Sequence, residues 1–292
     1  MQRPIADTIG ALAVEAMLYE VSATPKPGLV DRHDCGAHRD MDFFTFMSSA
    51  AALRSSFDEF ARAGLAGAEE PIEQLLPRLQ TIGRQAEQGM FTLTHGVNTH
   101  KGLIFSLGLL TGAAGWLAGQ PEFAGNFTAD GLGEIVAAMC QGIVEQAYGQ
   151  LRETAAGGLT KGEAMYLRYG VTGVRGEAES GYRTVRQLSL PAYRRARAEG
   201  ASVNDALVDT LMVIIAGTTD TNILGRHDRA ALEYAQQMAR EAMAAGGIRT
   251  VEGRAFIEHM NDEFIARWIS PGGSADLVAV THFLYCMENM EE

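Results

Sequence analysis

The sequence THGVNTHKGLIFSLGLLTGAAGW, Thr94 to Trp116, divides into two halves of opposite character. From Leu103 onward it is apolar, relieved only by Gly, Ser and Thr. A helix that is apolar on every side belongs inside a fold, wrapped by other helices. The first half is polar: Asn98, Thr99, His100 and Lys101 stand between Gly96 and Gly102. A polar cluster at the mouth of a buried helix is where a site is expected. Lys101 there opposes the helix macrodipole, and an anion bound at the same helix start would reverse that cost.

Working outward, Gly108 and Gly112 form a GxxxG that lets a neighbouring helix approach closely. The apolar run Leu103–Ala118 is shorter than the roughly 18–20 residues of a membrane span, so it reads as a core rod. Helical periods of apolar residues cover 5–22, 42–64, 71–89, about 131–150, 160–169, a segment from about 177 to Pro191, 203–217, 229–245, 250–268 and a last helix to about 288. Thr24, placed before a proline, ends the first of these, and Pro191 should end or kink its helix. No alternating period of any length and no repeat occurs. The expectation is an all-α fold: one multi-helical catalytic domain over 1–292, with roughly ten helices around a buried central helix.

The formal net charge is −12, with 47% hydrophobic and 21% charged residues. That composition supports a large core. It argues against nucleic-acid or anionic-membrane binding, which needs a basic face. A phosphate-rich ligand must therefore be held by a local cluster, with a divalent cation. Only three of the 24 cationic residues are lysines: Lys26, Lys101 and Lys161. Cys35, Cys140 and Cys286 are widely spaced and form no framework, which fits a reducing cytoplasm, and MQRPIADTIG lacks an apolar signal core.

Five polar, glycine-bearing joints fall at helix ends. Pro25–Asp40 carries Lys26, Asp31, Arg32, His33, Asp34, Cys35, His38 and Arg39. A zinc site from His33, Cys35 and His38 lacks a fourth ligand and a finger spacing; a substrate loop, with Asp31 on a metal or proton and Lys26 or Arg32 on phosphate, is preferred. Gly96–Gly102 is not a P-loop, because its order is Lys-Gly and no strand precedes it. Arg175–Glu179 places Glu177 and Glu179 at a helix start, where acids stabilise by themselves but can also hold Mg²⁺. Asp220, in Asp220–Thr221–Asn222, follows the C-terminal end of an apolar helix, where capping explains a carboxylate poorly. Ser270–Asp276, with Gly272, Gly273 and Ser274, fits a phosphate nest as well as a plain capped turn.

PKPGLVDRHDCGAHRDM, GVNTHKGLIFSLGLL, GVTGVRGEAESGY, DTN with Arg226 following, GGIRT and SPGGSADL together resemble the motifs of the triphosphoribosyl-dephospho-CoA synthase family, in order, from about residue 10 to 285. The resemblance implies an all-helical enzyme that joins ATP to 3′-dephospho-CoA and releases adenine. The 2′-hydroxyl of the acceptor ribose becomes glycosylated by the triphosphoribosyl unit. The product is the prosthetic-group precursor for an acyl carrier protein and passes to a prosthetic-group transferase. Gly28 and Asp34–His38 look more like the citrate lyase branch than the malonate decarboxylase branch. Where the family commonly has Arg-Gly-Gly, this chain has Arg226–His227–Asp228.

The resemblance assigns roles. Glu177, Glu179 and Asp220 are candidates at the anomeric carbon, and His100 or His38 at adenine. Lys26, Asp31, Arg32, His38, Asn98, Lys101, Arg175, Asn222 and Ser274 would bind substrate. Asp31, Glu177, Glu179, Asp220 and Asp276 would hold Mg²⁺. A homodimer is compatible with all of this. Two other classes remain: a Mg²⁺-dependent helical hydrolase of ADP-ribosyl-type bonds, and a helical scaffold.

Overall fold

A computed structural model describes residues 4–123, 125–149 and 159–290. Among the described residues there are fourteen α-helices and no strand. In chain order they are α1 (Ile5–Ser22), α2 (Phe43–Ala66), α3 (Leu75–Leu93), α4 (Lys101–Ala118), α5 (Ala129–Met139), α6 (Ile143–Tyr148) and α7 (Lys161–Tyr169). Then follow α8 (Gly173–Glu179), α9 (Leu190–Ala198), α10 (Val203–Gly217), α11 (Thr221–Arg226), α12 (Arg229–Ala244), α13 (Val251–Arg267) and α14 (Gly272–Glu288).

The chain is all-α as expected, and the excess over ten helices comes from short elements. The single helix expected near 131–150 is two, because Gly142 adopts a left-handed φ of 79° between α5 and α6. Near 177–191, α8 ends at Glu179, and Gly181 and Tyr182 both have positive φ. The chain then re-enters helix through a π-turn, Val185–Ser189. Pro191 begins α9 instead of ending a helix, since a proline in the first turn has no hydrogen bond to lose. Helix α11, six residues long, stands where the sequence shows only the end of the preceding apolar helix.

Helix α4 is the central rod. Among the described residues it is the one helix apolar and long enough to cross a membrane, and 67% of that span is buried inside the fold. Its glycines admit neighbours directly. A Cβ on Gly64 of α2 would stand 2.0 Å from the Gly112 carbonyl oxygen, and one on Gly108 would stand 2.7 Å from the Phe60 ring. One apolar cluster gathers α1 to α5 with the distal part of α14; a second gathers α9 to α13 with Val278. Leu277 and Tyr285 of α14 pack against both. The N-terminal ends of α4 and α14 thus open where the two clusters meet.

Candidate active site

A cavity of about 740 Å³ lies at that meeting place. All five polar joints contribute to its wall: Lys26 and His38, Asn98 to Lys101, Arg175 and Glu177, Asp220 and Asn222, and Asp276.

The loop after α1 is held by its own acids. Asp31 is buried and accepts from the backbone N–H groups of Lys26, His33 and Asp34 at 3.0, 2.6 and 3.1 Å. Its oxygens are spent on the turn, and it does not line the cavity. Arg32 is exposed and donates to Asn204 Oδ1 at 3.1 Å, also away from the cavity. His33 and Cys35 face outward, while His38 turns inward to Ser270 Oγ at 2.9 Å. The three therefore form no zinc site. Lys26 is the loop's contribution: its buried ammonium pairs with Glu20 on α1 and faces the cavity.

Glu20 was not anticipated. It is buried, lines the cavity, and has its pKa raised by desolvation against the pull of Lys26. The available signal was a carboxylate on the face of α1 that also carries Ala13, Ala16 and Met17, all buried.

At the entry to α4, Asn98 Oδ1 accepts the Lys101 N–H at 3.2 Å. Lys101 Nζ sits at the rim, 3.0 Å from Glu87 on α3 and about half-exposed. His100 is buried behind it. Thr99 donates to Ser49 Oγ at 2.8 Å, and Ser49 meets His100 Nδ1 at 2.7 Å. With Ser49 donating onward, the ring proton lies on Nε2, which has no partner among the described residues. Burial, and after it the Lys26 ammonium, hold the imidazole down to about 3, so it is neutral.

On α8, Glu177 Oε1 accepts from the Thr184 hydroxyl and Oε2 is buried without a partner. Desolvation raises its pKa. Glu179 points the other way, accepting the Gly142 N–H at 2.7 Å and capping α6. Arg175 lies 5.5 Å from the Tyr148 ring centroid and donates to its hydroxyl at 3.2 Å.

Asp220 is the clearest departure from the sequence expectation. Because α10 stops at Gly217, Asp220 is not at a helix C-terminus but is the N-cap of α11. Oδ1 accepts from the N–H of Asn222 and Ile223 at 2.8 and 3.3 Å. Oδ2 accepts from the N–H and hydroxyl of Ser274 at 2.7 and 2.8 Å. Ser274 is consumed by that clamp and does not line the cavity. Asp276, one turn into α14, does, and among the described residues no group pairs with its carboxylate. Burial pushes its pKa far up, and the nearby carboxylates of Glu20 and Asp220 add to the rise.

Arg226 keeps a place at the site beside the altered His227–Asp228 pair. It lines the cavity, and among the described residues neither it nor Arg175 enters an ion pair. The Arg226 guanidinium, after burial, helps bring His38 down to about 4. The altered pair has structural work: Asp228 caps α12 through the Ala231 N–H at 2.9 Å, and His227 Nε2 donates to the Trp268 carbonyl at 2.8 Å.

One space therefore presents, among the described residues, two guanidinium groups without ion-pair partners, a neutral imidazole donor, and the unpaired carboxylates of Glu177 and Asp276 beside the paired Glu20. Residues 6–292 match the family described as ATP:dephospho-CoA triphosphoribosyl transferase. The chain belongs to this family. This transferase is 43% identical over 277 residues, 95% of its length and 87% of the relative's, to a probable 2-(5''-triphosphoribosyl)-3'-dephosphocoenzyme-A synthase of Vibrio cholerae. It is 45% identical over 270 residues to the 2-(5''-triphosphoribosyl)-3'-dephosphocoenzyme-A synthase of Pectobacterium atrosepticum, covering 92% and 86% of the two chains. With the Klebsiella pneumoniae synthase of the same name it shares 42% identity over 281 residues, 96% and 90% of the two chains. No solved structure matches it.

Proposed function

We propose that the chain transfers the triphosphoribosyl unit of ATP to the 2′-hydroxyl of 3′-dephospho-CoA. The C1′–N9 bond of ATP breaks as a C1′–O bond to the acceptor forms. The hydroxyl proton passes to a carboxylate, and adenine leaves after protonation. No phosphoryl group moves, so no P-loop is needed. The observation that carries this reading is the convergence of five of the six family motifs, all but GGIRT, on one cavity, with buried polar atoms at Glu177 Oε2 and His100 Nε2 that have no partner among the described residues.

Each residue then has a task. Glu177 Oε2 takes the hydroxyl proton, and its raised pKa makes it a stronger base for that step than a solvated glutamate. The His100 Nε2–H donates a hydrogen bond to the leaving base or to the ribose. Arg175 and Arg226 receive phosphate oxygens as planar, multi-donor groups; Lys101 stands at the rim of the same cavity. Asp220 and Ser274 position α11 and α14.

The acids fit a divalent cation. Among the described residues Asp276 has no partner, and its pKa is raised by burial and then by the carboxylates of Glu20 and Asp220, a cost that positive charge relieves. Mg²⁺ takes oxygen ligands and keeps waters, so Asp276 with Glu177 or Glu20 would hold it. It would neutralise triphosphate charge. Among the described residues, no three cavity acids bring ligand oxygens within 4.8 Å of one another, which suits an ion shared with substrate.

The citrate lyase precursor pathway is favoured over malonate decarboxylase by Gly28 and Asp34–His38, and the setting is cytoplasmic. Mass spectrometry of the product from ATP and dephospho-CoA tests the reaction, and a triphosphoribosyl adduct with free adenine is expected. Adenine released equally without dephospho-CoA would replace this reading with a hydrolase.

A further inference from the structure

Outside the cavity, three side chains of different ligand chemistry meet where α1 packs on α14. His282 and Cys286 stand one turn apart on α14, and Glu15 reaches them from α1. His282 Nε2 lies 3.5 Å from Cys286 Sγ and 3.7 Å from Glu15 Oε1. The third side, Sγ to Oε1, is 3.8 Å. Among the described residues this is the set of three that gathers ligand atoms within 4.8 Å.

Those distances are informative in two directions. An N–H···O hydrogen bond has its atoms at about 2.7–3.2 Å, so 3.7 Å from Nε2 to Oε1 is too long for one. Zinc held tetrahedrally by N, S and O at its usual bond lengths separates the donor atoms by roughly 3.4–3.6 Å. Without an ion the Cys286 thiol bridges the other two through long sulfur hydrogen bonds, and the same triangle lies within a few tenths of an ångström of the spacing around a tetrahedral ion.

The histidine is also oriented as a ligand. Its Nδ1 lies 3.0 Å from the Tyr193 hydroxyl, Tyr19 stacks on the ring at 4.8 Å, and the ring is buried. A ring proton on Nδ1, donated to Tyr193 oxygen, leaves the Nε2 lone pair directed at Cys286 and Glu15. Glu15 is 41% exposed, so an ion has a way in from solvent.

We propose that Glu15 Oε1, His282 Nε2 and Cys286 Sγ form a zinc-class cation site, completed by water, separate from the nucleotide cavity. Thiolate and imidazole select a borderline-soft ion and not the Mg²⁺ of the reaction. The ion staples α1 to α14, the helices that carry Glu20 and Asp276 to the cavity.

The test is a Co²⁺ titration of the chelator-treated full chain, followed by Zn²⁺ displacement. One equivalent should give a thiolate-to-cobalt charge-transfer band with the intense visible bands of four-coordination. The band should vanish in Cys286→Ser and persist in Cys35→Ser. Zn²⁺ should raise the Tm of the wild type by several degrees and leave that of Glu15→Gln unmoved. Absence of the band, its persistence in Cys286→Ser, or an equal Zn²⁺ shift in Glu15→Gln overturns the proposal. Glu15 is partly exposed, so its variant decides the matter even where Cys286→Ser fails to fold.

Discussion

Asp276 Oδ2 lies over the bare Cα of Gly102, so close that a Cβ at Gly102 would stand 2.3 Å from it. The first turn of α14 thereby rests on the first turn of α4. A methyl group there has to displace the carboxylate, and Gly102 lies only one residue inside the helix. Replacing glycine by alanine in a helix gains up to about 1 kcal/mol of propensity, which offsets part of the local strain. Gly102→Ala should therefore fold with a Tm within a few degrees of wild type and lose at least tenfold in kcat/KM. Unchanged kinetics would remove Asp276 from the reaction.

That contact could not be read from the sequence, although its two ends could. The opposed halves of Thr94–Trp116 located the rod and its polar mouth, because burial of α4 demands an uninterrupted apolar surface. The cavity acids were found in part. Glu177 and Asp276 were legible as acids at glycine-flanked helix starts. Glu179 looked identical in sequence, but one residue past Ala178 the helix has turned it to Gly142. Asp31 looked like a ligand because nothing in sequence distinguishes a free carboxylate from one spent on its own turn. Asp220 was misplaced because α11 is six residues long and too short to show a period. Glu20 was hidden by lying inside an ordinary amphipathic helix, its purpose set by Lys26 across a loop.

Asp220 and Glu177 should separate under parallel substitution. Asp220 accepts four hydrogen bonds that join α11 to α14. Asp220→Ala leaves several buried donors unsatisfied at about 1–3 kcal/mol for each such group, so its loss should be chiefly one of stability. Ser274→Ala removes one of those bonds and should show a smaller loss in the same direction. Urea unfolding with parallel kinetics checks this; a stable Asp220→Ala protein with no activity would return Asp220 to the chemistry.

Lys26 and Glu20 form a buried ion pair at the cavity wall. Removing one partner of such a pair costs about 3–5 kcal/mol, because the other charge is left uncompensated. Lys26→Met should destabilise by that order, and adding Glu20→Gln should recover much of it. A double variant no more stable than Lys26→Met would mean that the ammonium acts through other groups, His100 foremost.

Glu177 gives the pH dependence. Desolvation raises its pKa above the ordinary 4.5, so the folded protein binds its proton more tightly than the unfolded chain does. Stability from this group is greatest below pH 4.5 and is lost as pH rises through the elevated folded value. At neutral pH the ionised carboxylate therefore works against the fold while serving as the base. Glu177→Gln keeps an acceptor for Thr184 and removes the buried charge. It should raise Tm at pH 7, lower kcat by about 10²–10⁴-fold, and abolish the acid limb of the kcat/KM profile. That limb, in the wild type, should lie above the range of a solvated glutamate. A variant that is both less stable and still pH-dependent would place the proton acceptor elsewhere in the cavity.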